Sequence, residues 1–311
     1  MKIALVGIGK IARDQHVPAI ASSRDWELAA AVSRHGGVEG VETFPDLATM
    51  LAERPGIQVV SLCLPPVPRF AHAAAALRAG RHVMLEKPPG ATLSECHALA
   101  AMARDMGLTL YATWHSREAA RVAPAKAWLE GKTIRRVTVT WKEDVRRWHP
   151  GQDWIWRPGG LGVFDPGINA LSILTEILPE PIHLTRARLT CPANRQTPIS
   201  ADLEFAHPGG AEVSAAFDWR QEGNQIWTIE VATDTGALRL ADGGARLALD
   251  GKEQPAPAGE GVPLGGEYPR LYAKMAALVA RAGIDMDLAP MTHVADAFTL
   301  GERIVTTPFH D

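Results

Sequence analysis

The sequence has few cysteines and no long apolar segment, and these two absences exclude several classes of protein. Only three of the 311 residues are cysteines, Cys63, Cys96 and Cys191, and they are far apart and odd in number. Such a set predicts no disulfide framework, and we interpret Cys63, within VVSLCLP, as a small core residue. No apolar run approaches the roughly 20 residues that cross a bilayer, so we expect no membrane partner.

Concentrated charge is also missing. The formal net charge is −3 and no long basic run occurs, whereas a nucleic-acid partner would need a dense face of Lys and Arg. The nearest candidate, VRRWH at residues 145–149, is too short, so we expect no nucleic-acid partner. The amino terminus, MKIALVGIGKIARD, lacks the apolar length and cleavage pattern of a signal peptide, and we expect a cytoplasmic protein.

Two kinds of catalytic motif do not occur. Histidines and cysteines are found neither in HExxH nor at metal-ligand spacing, so we predict no metal site. The absence of G-x-S-x-G argues against a hydrolase with a nucleophile elbow. What remains is an ordinary globular composition in a chain long enough for two domains.

The first part of the sequence, residues 1–118, alternates strands with helices. Its strands are continuous apolar runs, as in a sheet covered by helices on both faces, and its helices end at glycines suited to C-terminal caps. This order predicts an α/β Rossmann domain with a doubly wound parallel sheet. The strands are KIALVGIG, ELAAAVSR, QVVSLCLP, RHVMLEK and LTLYATWHS, and two of the helices are RFAHAAAALRAG and LSECHALAAMARDMG.

The second part, residues 119–311, has a different pattern. A helix leads into IRRVTVTWKEDV, in which apolar and polar residues alternate as in a strand with one solvent-exposed face. A second helix, PGINALSILTEIL, follows a Gly/Trp-rich loop. Further strands are joined by the short turns HPGG, TDTG and ADGG, which predict hairpins. We predict an α+β domain with a large, mostly antiparallel open sheet, two helices near the end of the chain, and a surface loop at GKEQPAPAGEGVP.

A glycine-rich turn follows the first strand. Gly7-Ile8-Gly9-Lys10-Ile11-Ala12 fits G-x-G-x-x-G/A and opens a helix. In this pattern Gly7 permits a tight turn, Gly9 lets the backbone approach a diphosphate, and Ala12 allows close helix packing. We predict that Gly7, Gly9, Lys10 and Ile11 bind a dinucleotide. The alternative is a glycine turn without a ligand.

The end of the second predicted strand bears on the choice between NAD and NADP. An Asp or Glu there would bond the ribose hydroxyls of NAD, but this chain has Ser33, Arg34 and His35. An arginine pairs with a 2′-phosphate and stacks on adenine. We therefore predict that Ser33 and Arg34 bind NADP as the preferred cofactor and that NAD is also accepted. The alternative is that Arg34 is only a solvated surface residue.

A lysine in the stretch HVMLEKPPG follows an apolar strand. The carboxyl ends of strands in open α/β sheets face the ligand, so Lys87 is expected to direct its ammonium toward a nicotinamide and a substrate. Pro88 and Pro89 make the turn rigid, and one X–Pro bond there could be cis. The alternative is a surface lysine in a proline turn.

Together these features resemble the glucose-fructose oxidoreductase/inositol dehydrogenase (Gfo/Idh/MocA) family. The resemblance rests on the GxGxxA turn, on Glu-Lys-Pro at 86–88 and on the second α+β domain, and it covers essentially the whole chain. It implies that Glu86 and Lys87 lie at the cofactor and that Lys87 contacts the substrate hydroxyl that loses its proton. It also implies a second-domain Asp followed, four residues on, by a His.

The second-domain motif departs from that pattern. GGLGVFDPGINAL contains Asp165 and, in the place of the usual His, Asn169. Four residues are about one helical turn, so both side chains share a face. Because asparagine cannot accept the proton, we assign proton acceptance to Asp165. Lys87 then either lowers the pKa of the substrate hydroxyl or relays its proton. The alternative for Asp165 is a helix N-cap ahead of Pro166.

The form FDPGIN resembles a subgroup of the family that oxidises L-arabinose and D-galactose at C1. Tryptophans are concentrated in RRWHPGQDWIWRPGG, and indole rings suit the C–H faces of sugars. The resemblance implies that five residues would hold the sugar with Asp165: His115, Trp148, His149, Asn169 and Trp227. Core packing is the alternative for each tryptophan, and it is at least as good an interpretation for Trp154 and Trp156.

These features predict an NAD(P)-dependent aldose 1-dehydrogenase that converts an aldose to its lactone. One alternative is another dehydrogenase of this family, acting on D-xylose, an inositol or a dihydrodiol. A non-catalytic sugar- or NADP-binding regulator and a redox-assisted glycosidase are further alternatives. An open sheet needs a cover and the family tends to pair such sheets, so we expect a homodimer.

Overall fold

The computed structural model describes residues 1–310, which form two compact units. The first unit comprises residues 1–115 and 268–288, and the second comprises residues 116–267 together with the chain from Ala289. The sequence had suggested one boundary near residue 118. The difference is the segment 268–288, which returns to the first unit because its helix buries two tyrosines there, and no linker composition marks that return.

The first unit contains a seven-stranded sheet in which every neighbouring pair is parallel. With strands numbered along the chain, the spatial order is β15-β6-β5-β4-β1-β2-β3. This confirms the predicted Rossmann sheet and adds two short edge strands to it. The strands are β1 (Lys2–Val6), β2 (Glu27–Val32), β3 (Thr43–Phe44), β4 (Val59–Leu62), β5 (His82–Glu86), β6 (Leu110–Thr113) and β15 (Ile284–Asp285).

Helices pack around this sheet, and capping residues explain where several of them begin and end. The Asp46 and Thr92 side chains accept backbone N–H bonds at two helix N-termini. Gly80 and Gly107, both at positive φ, follow the C-terminal ends of two helices, the second of which is the helix that Thr92 caps, as their positions in the sequence predicted. The helices are α1 (Val17–Ser22), preceded without a break by a π-helical turn (Ala12–His16), α2 (Leu47–Glu53), α3 (Pro66–Arg78), α4 (Leu93–Asp105) and α8 (Glu267–Val279).

The second unit is built on a nine-stranded open sheet in the order β14-β13-β12-β11-β7-β10-β9-β8-β16. Two neighbouring pairs are parallel, β7 with β10 and β8 with β16, and the others are antiparallel. The predicted mostly antiparallel sheet is confirmed. Its strands are β7 (Ile134–Lys142), β8 (His183–Pro192), β9 (Ser200–Ala206), β10 (Glu212–Asp218), β11 (Ile226–Thr233), β12 (Ala237–Ala241), β13 (Arg246–Leu249), β14 (Lys252–Gln254) and β16 (Glu302–Thr306).

The three predicted hairpin turns join β9 to β10, β11 to β12 and β12 to β13. The segment predicted as a surface loop begins instead with β14, which pairs with β13. The helices of this unit are α5 (Val122–Leu129), α6 (Val145–Trp148), α7 (Phe164–Ile177) and α9 (Ala289–Leu300). Within residues 1–310 no helix combines the length and apolar character that crossing a membrane requires.

Candidate active site

The glycine turn after β1 leaves room for a ligand on one side and none on the other. Gly7 has φ +89°, and a Cβ there would lie 2.9 Å from Leu64 Cδ2 and 3.2 Å from the Cys63 backbone. A Cβ on Gly9 would meet no atom within 4 Å. Only glycine therefore fits at position 7, while open space faces Gly9 where a diphosphate could approach. Ala12 is fully buried, as close helix packing requires.

The other two residues predicted in this turn have different surroundings. Lys10 is exposed and pairs with Asp14, one helical turn further on. Ile11 is half-buried and precedes the π-helical turn. The turn thus offers a diphosphate its backbone and open space, and the Lys10 ammonium already has a carboxylate partner.

At the end of β2, the chain turns through Ser33, Arg34 and His35. The Ser33 hydroxyl accepts a hydrogen bond from the His35 N–H at 3.1 Å and so shapes the turn, while the Arg34 side chain is exposed. A Cβ on Gly36 would lie 3.5 Å from Nη2 of Arg13, so a second guanidinium reaches this loop from the helix after the glycine turn. Sequence reasoning missed Arg13, because the approach depends on how that helix lies beside β2.

Lys87 directly follows β5 and is half-buried. The Lys87–Pro88 peptide bond is cis. The Arg69 guanidinium, itself buried, donates to the carbonyls of Glu86 and Pro88 and to that of Leu64. The carbonyls on both sides of Lys87 are thus held by one side chain from α3, which sequence reasoning did not identify.

Glu86 has its carboxylate inside the first unit, with 5% of the residue exposed. His16 lies 3.0 Å from Oε1, the Tyr268 hydroxyl donates to the same oxygen at 3.0 Å, and the Lys87 N–H donates to Oε2 at 3.1 Å. Burial would raise the pKa of Glu86, but the hydrogen bond and charge of His16, with the charges of His115 and Lys87, lower it to about 2. The predicted cofactor contact of Glu86 stays a prediction.

His115, predicted to hold a sugar, is buried at the end of the first unit. Its ring stacks on that of Tyr268 with centroids 5.7 Å apart and an interplanar angle of 20°. Tyr268 in turn contacts Glu86, so His115 belongs to the surroundings of that carboxylate. Its contact with a substrate stays a prediction.

In the second unit, α7 carries the predicted Asp-Asn pair. Asp165 lies inside the helix, whose N-cap is Val163 and has no side-chain cap bond, so the N-cap interpretation of Asp165 is wrong. Its buried Oδ2 lies 3.3 Å from Nε2 of His149. Asn169, one turn further, is half-buried, and its amide makes no hydrogen bond within residues 1–310. The structure therefore brings three of the predicted substrate residues to one part of this unit.

An aromatic group surrounds this carboxylate–imidazole pair. Trp148 and Trp227 lie 5.3 Å apart between ring centroids, and His149 lies 5.3 Å from Trp219. Glu143, which is buried, accepts the indole N–H of Trp227 at 2.9 Å and that of Trp219 at 3.3 Å. Sequence reasoning missed Glu143 and Trp219. The carboxylate fixes both rings, so the arrangement is a rigid aromatic wall with one buried acid behind it.

Trp154 and Trp156, for which core packing was at least as good an interpretation as sugar contact, have different surroundings from Trp148 and Trp227. Trp156 is buried and contacts the rings of Trp219 and Phe309. Trp154 is half-buried and donates its indole N–H to Gln152. Among residues 1–310, no three histidine, cysteine, aspartate or glutamate side chains are grouped so that they could hold a metal ion.

Comparison with known proteins identifies the family. The model of an oxidoreductase family with an NAD-binding Rossmann fold (Gfo/Idh/MocA) matches residues 1–113. Over 323 aligned residues the chain is 40% identical to galactose 1-dehydrogenase from Pseudomonas fluorescens, covering 100% of this chain and 99% of that protein. The chain belongs to the Gfo/Idh/MocA family. The resemblance inferred from the glycine turn and Glu-Lys-Pro is confirmed.

Solved structures agree with the Gfo/Idh/MocA assignment. D-Galactose-1-dehydrogenase from Rhizobium etli is 52% identical with a TM-score of 0.93, and the match covers 99% of this chain and 97% of that one. A 3-ketoreductase from Actinomadura kijaniata, in complex with TDP-benzene and NADP, is 18% identical with a TM-score of 0.81 and covers 98% and 99%. At that identity the second likeness shows the fold alone.

Proposed function

We propose that the protein is an NAD(P)-dependent aldose 1-dehydrogenase that oxidises the anomeric hydroxyl of D-galactose and L-arabinose to the aldonolactone. The C1 hydride leaves as the hydroxyl proton is removed, so one sugar and one oxidised cofactor give one lactone, one reduced cofactor and one proton. The observation that carries the proposal is the pairing of Asp165 with His149, one turn from the free amide of Asn169, beside Trp148 and Trp227.

The proposed cofactor is NADP, with NAD also accepted, and the first unit fits such a dinucleotide. The open space at Gly9 suits a diphosphate, and Arg34 and Arg13 are two guanidiniums at the loop that would meet a 2′-phosphate. Neither arginine makes an ion pair with a carboxylate within residues 1–310, so both remain available for an anion. When bound, the nicotinamide supplies the acceptor for the C1 hydride.

Asp165 is the proposed proton acceptor for the C1 hydroxyl. Its carboxylate is buried, and the His149 imidazole at 3.3 Å fixes its direction, which is the arrangement expected of an oriented general base. Asn169 contributes hydrogen bonds only. Lys87 is proposed to act on the same hydroxyl, either by stabilising the developing oxyanion or by relaying the proton.

The sugar is proposed to rest against Trp148 and Trp227, with His115, His149 and Asn169 bonding its hydroxyls. The indole N–H of Trp148 is buried without a hydrogen-bond partner within residues 1–310. Burying such a donor costs free energy unless a ligand accepts its bond, and a sugar hydroxyl can do so. The N–H groups of Trp227 and Trp219 are already bound by Glu143.

The choice of sugar is supported by relatives. Two galactose 1-dehydrogenases are 40% and 52% identical to this chain over nearly its whole length. D-Galactose and L-arabinose share their configuration from C1 to C4 and differ only in the exocyclic group, so one pocket could accept both. Oxidation of L-arabinose is therefore proposed alongside that of D-galactose.

Initial rates across a panel of sugars, each with NADP and with NAD, test the function. We expect reduced cofactor with D-galactose and L-arabinose and much less with D-xylose, an inositol or a dihydrodiol. Sugar binding without cofactor reduction would show a regulator instead, and cleavage of a nitrophenyl glycoside would show a glycosidase. The absence of cofactor reduction with both D-galactose and L-arabinose would contradict the proposal.

Two further parts of the proposal concern assembly and location. Along β9 and β10 side chains alternate between buried and more exposed positions, as in a sheet with only one covered face. We propose that a second copy of the chain covers the open face, giving a homodimer, which light scattering in solution would test. Because the reaction uses NAD(P), we propose that it takes place in the cytoplasm.

A further inference from the structure

A buried polar cluster in the first unit connects the helix after the glycine turn to the strand end that carries Lys87. His16 is fully buried, and its Nε2 lies 3.0 Å from Glu86 Oε1 while its Nδ1 lies 2.7 Å from the Tyr272 hydroxyl. Tyr268 and Tyr272, four residues apart on α8, present both hydroxyls to this cluster. His16, Tyr268 and Tyr272 have no role in the proposed reaction so far.

The cluster has the character of an ion pair. Burial alone would lower the pKa of His16, but Cys63, Tyr272 and Glu86 raise it well above its ordinary value. An imidazolium donates from both ring nitrogens, which satisfies Glu86 and Tyr272 together. A carboxylate buried to this extent is stable as an anion only if it is paired and hydrogen-bonded, and His16 is the cation in direct contact with it.

The Glu86 carboxylate contacts both His16 and the next residue in the chain, Lys87. Its Oε2 accepts the backbone N–H of Lys87 at 3.1 Å, and the Lys87 charge is close enough to contribute to the low pKa of Glu86. The other groups that face the carboxylate are His115 and Tyr268. Arg69 binds the backbone carbonyl of Glu86 and does not replace His16 at the carboxylate.

We propose that His16 is a positioning residue for Lys87 and acts on it through Glu86. The imidazolium keeps the Glu86 carboxylate ionised at neutral pH, and the carboxylate fixes the Lys87 backbone and places a negative charge beside its amine. The inference rests on the proposed function, in which Lys87 acts on the substrate hydroxyl.

Removing the His16 imidazolium should change the protonation of Glu86 and, through it, the charge beside Lys87. Burial raises the pKa of a carboxyl by up to about 3–5 units, and His16 opposes this more strongly than the charges of His115 and Lys87 do, so without His16 we expect Glu86 to take up a proton near neutral pH. The negative charge beside Lys87 would then disappear at neutral pH and return as the pH is raised. If His16 had a purely structural role, its replacement would lower stability but would give no such pH dependence.

The test measures the reactivity of the Lys87 amine in the full-length protein without sugar or cofactor. Acetylation by trace acetic anhydride, quantified by mass spectrometry across pH, compares wild type with His16→Gln. Near neutral pH we expect Lys87 to acetylate about 3- to 10-fold faster in the variant, because a negative charge that favours the protonated amine is lost. The difference should shrink at higher pH, and kcat should fall and recover over the same range.

Trp26→Phe is the matched control. It removes a buried indole bond to the Tyr272 carbonyl on the same helix but leaves Glu86 untouched. We expect a lower melting temperature with unchanged Lys87 acetylation. If His16→Gln does not fold, Tyr272→Phe removes the partner of Nδ1 without opening a cavity and should move acetylation in the same direction by a smaller factor.

A double variant provides an independent check. Glu86→Gln imitates the protonated acid, so His16→Gln should have no additional effect on acetylation or kcat when Glu86 is already replaced. Additive effects, or unchanged acetylation in a folded His16→Gln protein, would overturn the inference. Full turnover in Lys87→Ala would instead overturn the role proposed for Lys87, while the acetylation result would still decide whether His16 acts on that residue.

Discussion

His149 Nε2 lies 3.3 Å from Oδ2 of Asp165, so an imidazole reaches the carboxylate although the residue one turn along α7 is Asn169. The two residues belong to separate segments of the second unit, α7 and the chain just after α6. A histidine is therefore available to the proposed base, in a position that the FDPGIN motif does not reveal.

Replacing Asp165 tests this pair. Asp165→Asn keeps the shape of the side chain but cannot accept a proton, so kcat should fall by about 10²–10⁴-fold with a small change in melting temperature. Steady-state kinetics with D-galactose, alongside thermal melting, measure both. His149→Gln is the companion variant, and it should retain more activity than Asp165→Asn. Wild-type kcat in Asp165→Asn would rule out this base.

The two arginines near the end of β2 should distinguish the cofactors. Arg34→Ala and Arg13→Ala should each weaken NADP binding by about 10- to 100-fold, the value of a lost charge-assisted hydrogen bond, and should change NAD binding much less. Calorimetric titration with each cofactor measures this. Arg24→Ala, which removes an exposed arginine elsewhere in the first unit, is the control and should leave the NADP/NAD ratio unchanged.

Arg69 should be important for stability. Arg69→Met would leave the carbonyls of Leu64, Glu86 and Pro88 without this donor, and each unsatisfied buried group costs about 1–3 kcal/mol. We expect the free energy of unfolding to fall by at least about 2 kcal/mol in urea denaturation. Arg78→Met, at the exposed end of the same helix, should change it little, and equal effects of both would contradict the assignment.

The ion pair between Glu86 and His16 predicts a pH dependence of stability. The folded-state pKa of Glu86 is about 2, below its ordinary 4.5, so its contribution is present above 4.5 and is lost as pH falls toward 2. The raised pKa of His16 acts oppositely, giving stability below 6.5 that is lost as pH rises through the raised value. Glu86→Gln should therefore melt below wild type near neutral pH, and the difference should shrink on acidification below 4.5. A difference independent of pH would contradict the pair.

Features encoded within one segment could be predicted from the sequence. The Rossmann sheet, the glycine turn, Lys87 at a strand end and the positions of Asp165 and Asn169 on one helix follow from periodicity and local motifs. The contact of Glu143 with Trp227 joins residues 84 apart, and that of His16 with Glu86 joins residues 70 apart. Periodicity gives the face of an element but not its partner across the fold, so these contacts required the structure.

The return of α8 to the first unit was missed for the same reason. Its segment reads as an ordinary amphipathic helix, and no composition change marks it. Tyr268 binds Glu86 and Tyr272 binds His16. The contacts that place this helix therefore join side chains that are far apart in the sequence.

Oxidation of D-galactose carrying deuterium at C1 tests the central claim most directly. The protein is incubated with the labelled sugar and NADP, and the cofactor and sugar products are analysed by mass spectrometry and NMR. We predict that the reduced cofactor carries the deuterium at nicotinamide C4 and that the sugar product is the lactone without it. Reduced cofactor without deuterium, together with a sugar product that keeps it, would contradict hydride transfer from C1.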